Sequence, residues 1–296
     1  MLFGGHCSGG VKRALDKAAE IGADAVQLFA QSPRAWRFPA HDPADLAAFR
    51  ERSRESGVPA FVHAIYLVNV ASPEDVVYDK SVATLLDTVR AACAIGAEGV
   101  VFHVGSHLGA GFETGLARAV PGIRRVLDAC DECEDDTWLL MENSAGAGGT
   151  IGRSLEELGT LFERLDGHPR LGVCLDSCHL WVSGYDVTDP DELDRAVART
   201  DELIGLDRLR VLHVNDTPSE LGSNRDRHAN VGEGVLGDGM GVFLSHPAFQ
   251  ELPAILEVPG KDDHGPDADE VRKLRELHDR WTTRSGKRRA RKKAKR

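Results

Sequence analysis

The sequence predicts a single (β/α)8 barrel of the TIM type. Three observations point there. Eight short β-rich runs alternate with helix-like segments along the chain, at intervals of about 25–45 residues. Most of those runs are almost continuously apolar, as parallel strands covered on both faces must be. The length of 296 residues also suits one barrel of about 250 residues with a short extension. A doubly wound sheet is the alternative, but no G-x-G-x-x-G follows the first run.

Taken in order, strands are expected at 2–7 (LFGGHC), 25–30 (AVQLFA), 59–64 (PAFVHA) and 99–104 (GVVFHV), then at 138–143 (WLLMEN), 171–176 (LGVCLD), 209–215 (LRVLHVN) and 253–258 (PAILEV). Ser8 is placed to cap the helix VKRALDKAAEI, which Gly22 stops. Ser72-Pro73-Glu74-Asp75 opens a long helix that ends at Gly96, and Ser154 with Glu157 forms a capping box ahead of ELGTLFERL. No linker breaks the pattern, so residues 1–282 read as one catalytic barrel and 283–296 as a disordered basic tail.

Composition narrows the class. The chain is 42% hydrophobic and 28% charged, an ordinary globular balance, and no apolar run nears the roughly 20 residues that span a bilayer. The start, MLFGGHCSGG, has neither basic nor apolar signal regions. Six cysteines in so long a chain do not form a secreted disulfide framework, so a reduced, cytoplasmic protein is expected, nucleoid-associated if bacterial. Cys130 and Cys133 resemble half a zinc knuckle with no second half, and read as helix surface. Cys174 and Cys178 read as small buried apolar side chains. The last ten residues carry eight positive charges, so the net charge of −11 becomes −19 without them. Such a run attracts polyanions, and the expected partner is nucleic acid.

The chemistry sits at the strand ends. His63, His103, Glu142, Asp176, His213 and Glu257 each fall at or near the C-terminal end of strands three to eight. In a TIM barrel those ends form one face, and active sites lie there. His179 follows Asp176 by three residues, and Asp226 and His228 lie in the long loop after strand seven. Any one of these reads as easily as a satisfied rim residue. Nine at equivalent places do not, because four carboxylates gathered in a desolvated mouth need cations. Imidazole with carboxylate suits zinc or manganese, and nine ligands are too many for one ion. Three divalent ions would leave the site at about +2, attractive to phosphate. His6, at the end of the first strand, is a candidate outer partner.

These residues lie in motifs that resemble the endonuclease IV family of zinc-dependent apurinic/apyrimidinic endonucleases: FHVGSHLG (102–109), MENSAGAG (141–148), VCLDSCHLWVSGYD (173–186), LHVNDTPSELGSNRDRHANVGEG (212–234) and ILEVPG (255–260). The resemblance implies three zinc ions: one on His63, His103 and Glu142, one on Glu142, Asp176, His213 and Glu257, and one on His179, Asp226 and His228. Glu142, Asp176 and Glu257 would be central to catalysis. Arg34, Tyr66 and Leu67, in QSPRAW and HAIYLVN, would enter the duplex. The implied reaction is hydrolysis of the phosphodiester 5′ to an abasic site in double-stranded DNA, by a monomer without membrane attachment. It leaves a 3′-hydroxyl and a 5′-deoxyribose phosphate. Val104 departs from the family pattern, where proline is expected, and SGG (8–10) stands for the usual AGG. The alternative is a sugar isomerase or epimerase of the same superfamily, with one manganese on Glu142, Asp176, His213 and Glu257. A non-catalytic DNA-binding module would leave nine polar residues unused.

Overall fold

The structure, a computed structural model, describes the backbone of residues 1–293 and the side chains of residues 1–283. Eight parallel strands close in chain order into a barrel: β1 (Leu2–His6), β2 (Ala25–Phe29), β3 (Ala60–His63), β4 (Gly99–Phe102), β5 (Trp138–Glu142), β6 (Leu171–Asp176), β7 (Leu209–His213) and β8 (Pro253–Leu256). Every expected strand is present, shorter by up to two residues at its ends. Around them, among the described residues, run α1 (Gly10–Glu20), α2 (Pro43–Ser56), α3 (Asp75–Ile95), α4 (Phe112–Asp131), α5 (Leu155–Arg164), α6 (Ser177–Ser183), α7 (Pro190–Leu203), α8 (Met240–Leu244) and α9 (Ala268–Lys293).

Inside the barrel, one residue from each of seven strands builds an apolar layer: Ala25, Phe61, Val101, Leu140, Cys174, Val211 and Ile255. The eighth strand, β1, supplies Gly4. A Cβ there would stand 2.5 Å from both the Ala25 carbonyl oxygen and Ile255 Cδ1, so the missing side chain is the space that Ile255 fills. Outside the barrel, a larger cluster seals strands to helices, with Leu28, Phe102, Leu139 and Leu212 all fully buried.

Side chains on a strand alternate between faces, so residues two positions further on point into the same lumen. Two positions beyond Gly4 and the seven apolar residues lie His6, Gln27, His63, His103, Glu142, Asp176, His213 and Glu257. An apolar floor therefore carries a wholly polar layer at the C-terminal face.

The helix starts hold two differences from expectation. Gly9, at φ 94°, is the N-cap of α1, with no side-chain cap, so Ser8 does not cap it. α3 begins at Asp75 with Glu74 as N-cap, while the Ser72 hydroxyl accepts from the Glu74 N–H. Ser154 does cap α5, accepting from Glu157 N at 3.2 Å, and Glu157 in turn accepts from Arg153 N at 3.1 Å. Cys93 and Cys133 form a disulfide, with Cα atoms 5.5 Å apart. This departs from the expectation of reduced thiols: α3 and α4 pack side by side, which brings together residues 40 apart in sequence. The other four cysteines are free and buried. The backbone of α9 continues in helical form to Lys293. The expectation of a disordered tail otherwise falls on residues 284–296, whose side chains, and for 294–296 also the backbone, lie outside the described residues. No described helix is long and apolar enough to cross a membrane.

Phe61, 2% exposed, fills the lumen floor. Phe61→Ala is expected to cost about 3–5 kcal/mol, read as a lower urea midpoint at unchanged slope. A loss under about 1 kcal/mol would show that the floor is not close-packed.

Candidate metal centre

All nine residues singled out in the sequence meet at the C-terminal mouth. His63, Glu142, Asp176 and His213 end their strands, and His103 and Glu257 lie one residue past theirs. Asp176 pairs with His213, while Glu142 pairs with Cys174, two residues before Asp176, the stagger by which tilted barrel strands bring their ends to one height. His179 stands on the first turn of α6, whose N-cap is Asp176 itself, with Oδ1 accepting from His179 N at 2.8 Å. Asp226 and His228 reach in from the β7–α8 loop.

Glu142 is the hub. It is fully buried, and four imidazoles surround it: Oε2 lies 3.1 Å from His63 Nε2 and 3.3 Å from His103 Nε2, while Oε1 lies 3.0 Å from His213 Nδ1 and 3.2 Å from His179 Nδ1. Burial works against its charge, but His103 and His213 beside it outweigh burial and hold its carboxyl well below the ordinary range. The same contest lifts His179 and His228 well above theirs. Burial opposes their protonation, and the carboxylates of Asp176 and Asp226 prevail for His179, that of Asp226 for His228. The acids here are balanced by protons on the rings, and those are protons that a divalent ion displaces.

The donor sets fit such ions. Ligand atoms lie within 4.8 Å of one another in the set His63, His103 and Glu142, in the set Glu142, Asp176, His213 and Glu257, and in the set His179, Asp226 and His228. The third set gives the clearest test. His179 Nε2 and His228 Nε2 are buried with no hydrogen-bond partner, yet each lies 3.3 Å from an Asp226 oxygen. A cation among these three groups satisfies all of them. The rings are also turned for it. Backbone carbonyl oxygens of Ala64, Asn143 and Glu257 lie 2.6, 2.9 and 3.2 Å from Nδ1 of His63, His179 and His228, so Nδ1 carries a hydrogen and Nε2 is the nitrogen left to face the site as a ligand.

Several supporting residues had no sequence signal of their own. In the run His213-Val214-Asn215-Asp216, the Asn215 amide donates to Asp176 Oδ2 at 2.6 Å, and its oxygen accepts from Glu257 N at 2.8 Å. Asp216 is fully buried and accepts five backbone N–H groups: Thr217 and Leu236 on Oδ1, Gly232, Gly234 and Gly237 on Oδ2, at 2.8–3.2 Å. A Cβ on Gly234 would stand 2.3 Å from Asp216 Oδ1, which is why glycine follows Glu233 there. The loop that carries Asp226 and His228 is thus wound around one carboxylate. Gln27 and His6 complete the polar layer from β2 and β1.

Beside the cluster a cleft of about 690 Å³ opens between the first and last strands, lined by His6, Phe29, Gln31, Arg34, Tyr66 and Glu257. Arg34 is exposed on its rim and Tyr66 is 67% exposed, while Leu67 is half-buried against the core. Local desolvation and the carboxylates of Glu257, Asp226 and Glu142 push the Tyr66 phenol up to about 12.

A family model described as "Xylose isomerase-like TIM barrel" matches residues 15–281. A protein named probable endonuclease 4, from Chloroflexus aggregans, is 37% identical over 279 residues, covering 93% of this chain and 97% of that one. The crystal structure of endonuclease IV from Thermus thermophilus superposes with a TM-score of 0.81 at 36% identity, covering 95% of this chain and all of that one. A D-tagatose 3-epimerase-like protein superposes at 0.71 with 17% identity, over 97% of this chain and 99% of that one, which shows a common barrel and no more.

Asp216→Asn turns one half of the acceptor into a donor that faces backbone N–H groups. It is expected to destabilise the 226–237 loop by about 1–3 kcal/mol, seen as faster amide exchange at Gly232, Gly234 and Gly237. Unchanged exchange there would show that the carboxylate does not hold the loop.

Proposed function

This chain belongs to the endonuclease IV family of xylose isomerase-like TIM barrels, and from that premise we propose that it cuts DNA on the 5′ side of abasic nucleotides in base-excision repair. It is a nuclease, a phosphodiester hydrolase. The products on this reading are a 3′-hydroxyl and a 5′-deoxyribose phosphate. One observation carries it: among the overlapping donor groups of the mouth are three that together use all nine residues. A one-metal isomerase uses Glu142, Asp176, His213 and Glu257 and leaves His63, His103, His179, Asp226 and His228 without a task.

Zinc would be held by His63, His103 and Glu142, by Glu142, Asp176, His213 and Glu257, and by His179, Asp226 and His228, with manganese an alternative in the second, carboxylate-rich set. Such ions, when bound, polarise a phosphoryl oxygen and lower the pKa of a water from 15.7 to about 7. The chain's own residues do the rest. Glu142 belongs to two sets and fixes their spacing. Asp176 caps α6, the helix that carries His179, and so links the second set to the third. Glu257 lines the cleft and faces whatever enters it.

Arg34, on the rim, is placed for a backbone phosphate. Tyr66 offers an exposed ring that stays protonated at neutral pH, backed by Leu67, and flat or apolar side chains of this kind unstack a base step. The cleft beside Glu257 has room for an extruded nucleotide, and a missing base removes part of the few-kcal/mol cost of extrusion. The enzyme works as a monomer in the cytoplasm, at the nucleoid in a bacterium, and its basic C-terminal residues add charge that holds phosphate.

Glu142→Ala or Asp176→Ala is expected to abolish incision of an abasic-site duplex, and chelation of the native protein to abolish it reversibly, with zinc restoring it. Full activity in either variant, or in chelator, would defeat the proposal. Removing residues 287–296 should weaken duplex binding and flatten log K against log salt by about 0.9 for each phosphate no longer neutralised, leaving incision at saturating DNA unchanged. An unchanged slope would show that these residues do not touch phosphate.

A further inference from the structure

We infer that Gln27 is a positioning residue of the metal centre, setting the ring tautomer of His213 and the orientation of the Glu257 carboxylate. The inference rests on the metal-binding reading above and extends it to a part of the polar layer that supplies no ligand.

Gln27 sits in the middle of the apolar strand β2 and is fully buried. An amide buried there without partners is destabilising, so its polar atoms must be used. They are. Gln27 Nε2 lies 2.7 Å from Glu257 Oε1, and Gln27 Oε1 lies 2.9 Å from His213 Nε2. The assignment of the amide follows from chemistry. A carboxylate only accepts, so the end of the amide facing Glu257 is the NH2 group. The carbonyl end then faces His213, which obliges Nε2 of that ring to carry hydrogen and donate it. Nδ1 is the nitrogen that points into the centre, 3.0 Å from Glu142 Oε1 and 3.1 Å from Glu257 Oε2, and it gives up its hydrogen to become a ligand when a cation binds.

His213 is inverted relative to its neighbours. His63, His179 and His228 offer Nε2 and are turned by main-chain carbonyls. A main-chain carbonyl keeps its place whatever the side chains are. His213 offers Nδ1, and the partner that turns it is a side chain which one substitution removes. Gln27 also reaches the first strand: His6 Nδ1 lies 3.0 Å from its Nε2 and 3.2 Å from Glu257 Oε1. One amide thereby ties β1, β2, β7 and β8 together at the level of the ligands.

The test compares the native chain with Gln27→Leu and Gln27→Glu, each labelled with ¹⁵N-histidine, in long-range ¹⁵N–¹H spectra without metal and during a titration with zinc alone. In the zinc-bound native protein His213 should show hydrogen on Nε2 and none on Nδ1. Gln27→Leu should lose that preference, and one zinc equivalent should bind about 10–100-fold more weakly while the others hold. Gln27→Glu should keep the Nε2–H signature, because a carboxylate still accepts, yet weaken the same equivalent through repulsion of Glu257. A bare Nε2 on His213 in the zinc-bound native protein overturns the inference, and so does a Gln27→Leu titration that matches the native one. Should Gln27→Leu fail to fold, the native spectrum and Gln27→Glu still decide. A native chain that takes up no zinc would count against the proposed function instead, a result distinct from either of these.

Discussion

Glu142 is the contact on which the mouth of this barrel depends. It is fully buried, with four imidazole nitrogens within 3.3 Å of its two oxygens. An isolated carboxylate in that position would give up its charge. It keeps the charge because His213 and His179, held well above the ordinary imidazole range, bring protons to it in the absence of metal, and the rings lend their lone pairs to cations when metal is bound. Either way positive charge must sit in the mouth. The apolar floor, from Ala25 to Ile255, makes the demand sharper, since it shuts water out from below and lowers the local dielectric.

A demand of this kind is met only if the ligands are held in place beforehand. The run His213-Val214-Asn215-Asp216 shows how compactly it is met. His213 faces the lumen, Val214 is buried in the core, Asn215 holds Asp176 and the backbone of Glu257, and Asp216 anchors the loop that brings in Asp226 and His228. Asp176 works at three levels at once, as strand end, helix cap and member of a donor set. A change at one of these positions therefore reaches more than one set, and single substitutions around the mouth are not expected to add independently.

Much of this was legible in the sequence, for a physical reason. A charged or imidazole side chain at the end of an apolar parallel strand conflicts with its surroundings, and His63, His103, Glu142, Asp176, His213 and Glu257 all show that conflict in the bare string. Gln27 does not. A neutral amide inside AVQLF carries no charge to balance, and its importance appears only when the two-residue alternation places it level with Glu257. Asp216 hides differently, as one acid in a polar loop, since five N–H partners from a distant stretch cannot be seen along the chain. Ser8 misled because a helix entered through a left-handed glycine needs no side-chain cap. The Cys93–Cys133 bond depends on how two neighbouring helices pack, which spacing does not encode. Arg34, Tyr66 and Leu67 came from resemblance alone, and the structure adds that the first two are exposed at the cleft while Leu67 is half-buried.

The measurement that bears most directly on the centre is an anomalous difference map, collected at the zinc edge, from crystals of the full chain grown with zinc. Three peaks are predicted in the barrel mouth: one against His63 and His103, one among Asp176, His213 and Glu257, and one among His179, Asp226 and His228, with Glu142 between the first two. A single peak held by Glu142, Asp176, His213 and Glu257 alone, with the other imidazoles turned away from any ion, would contradict the account.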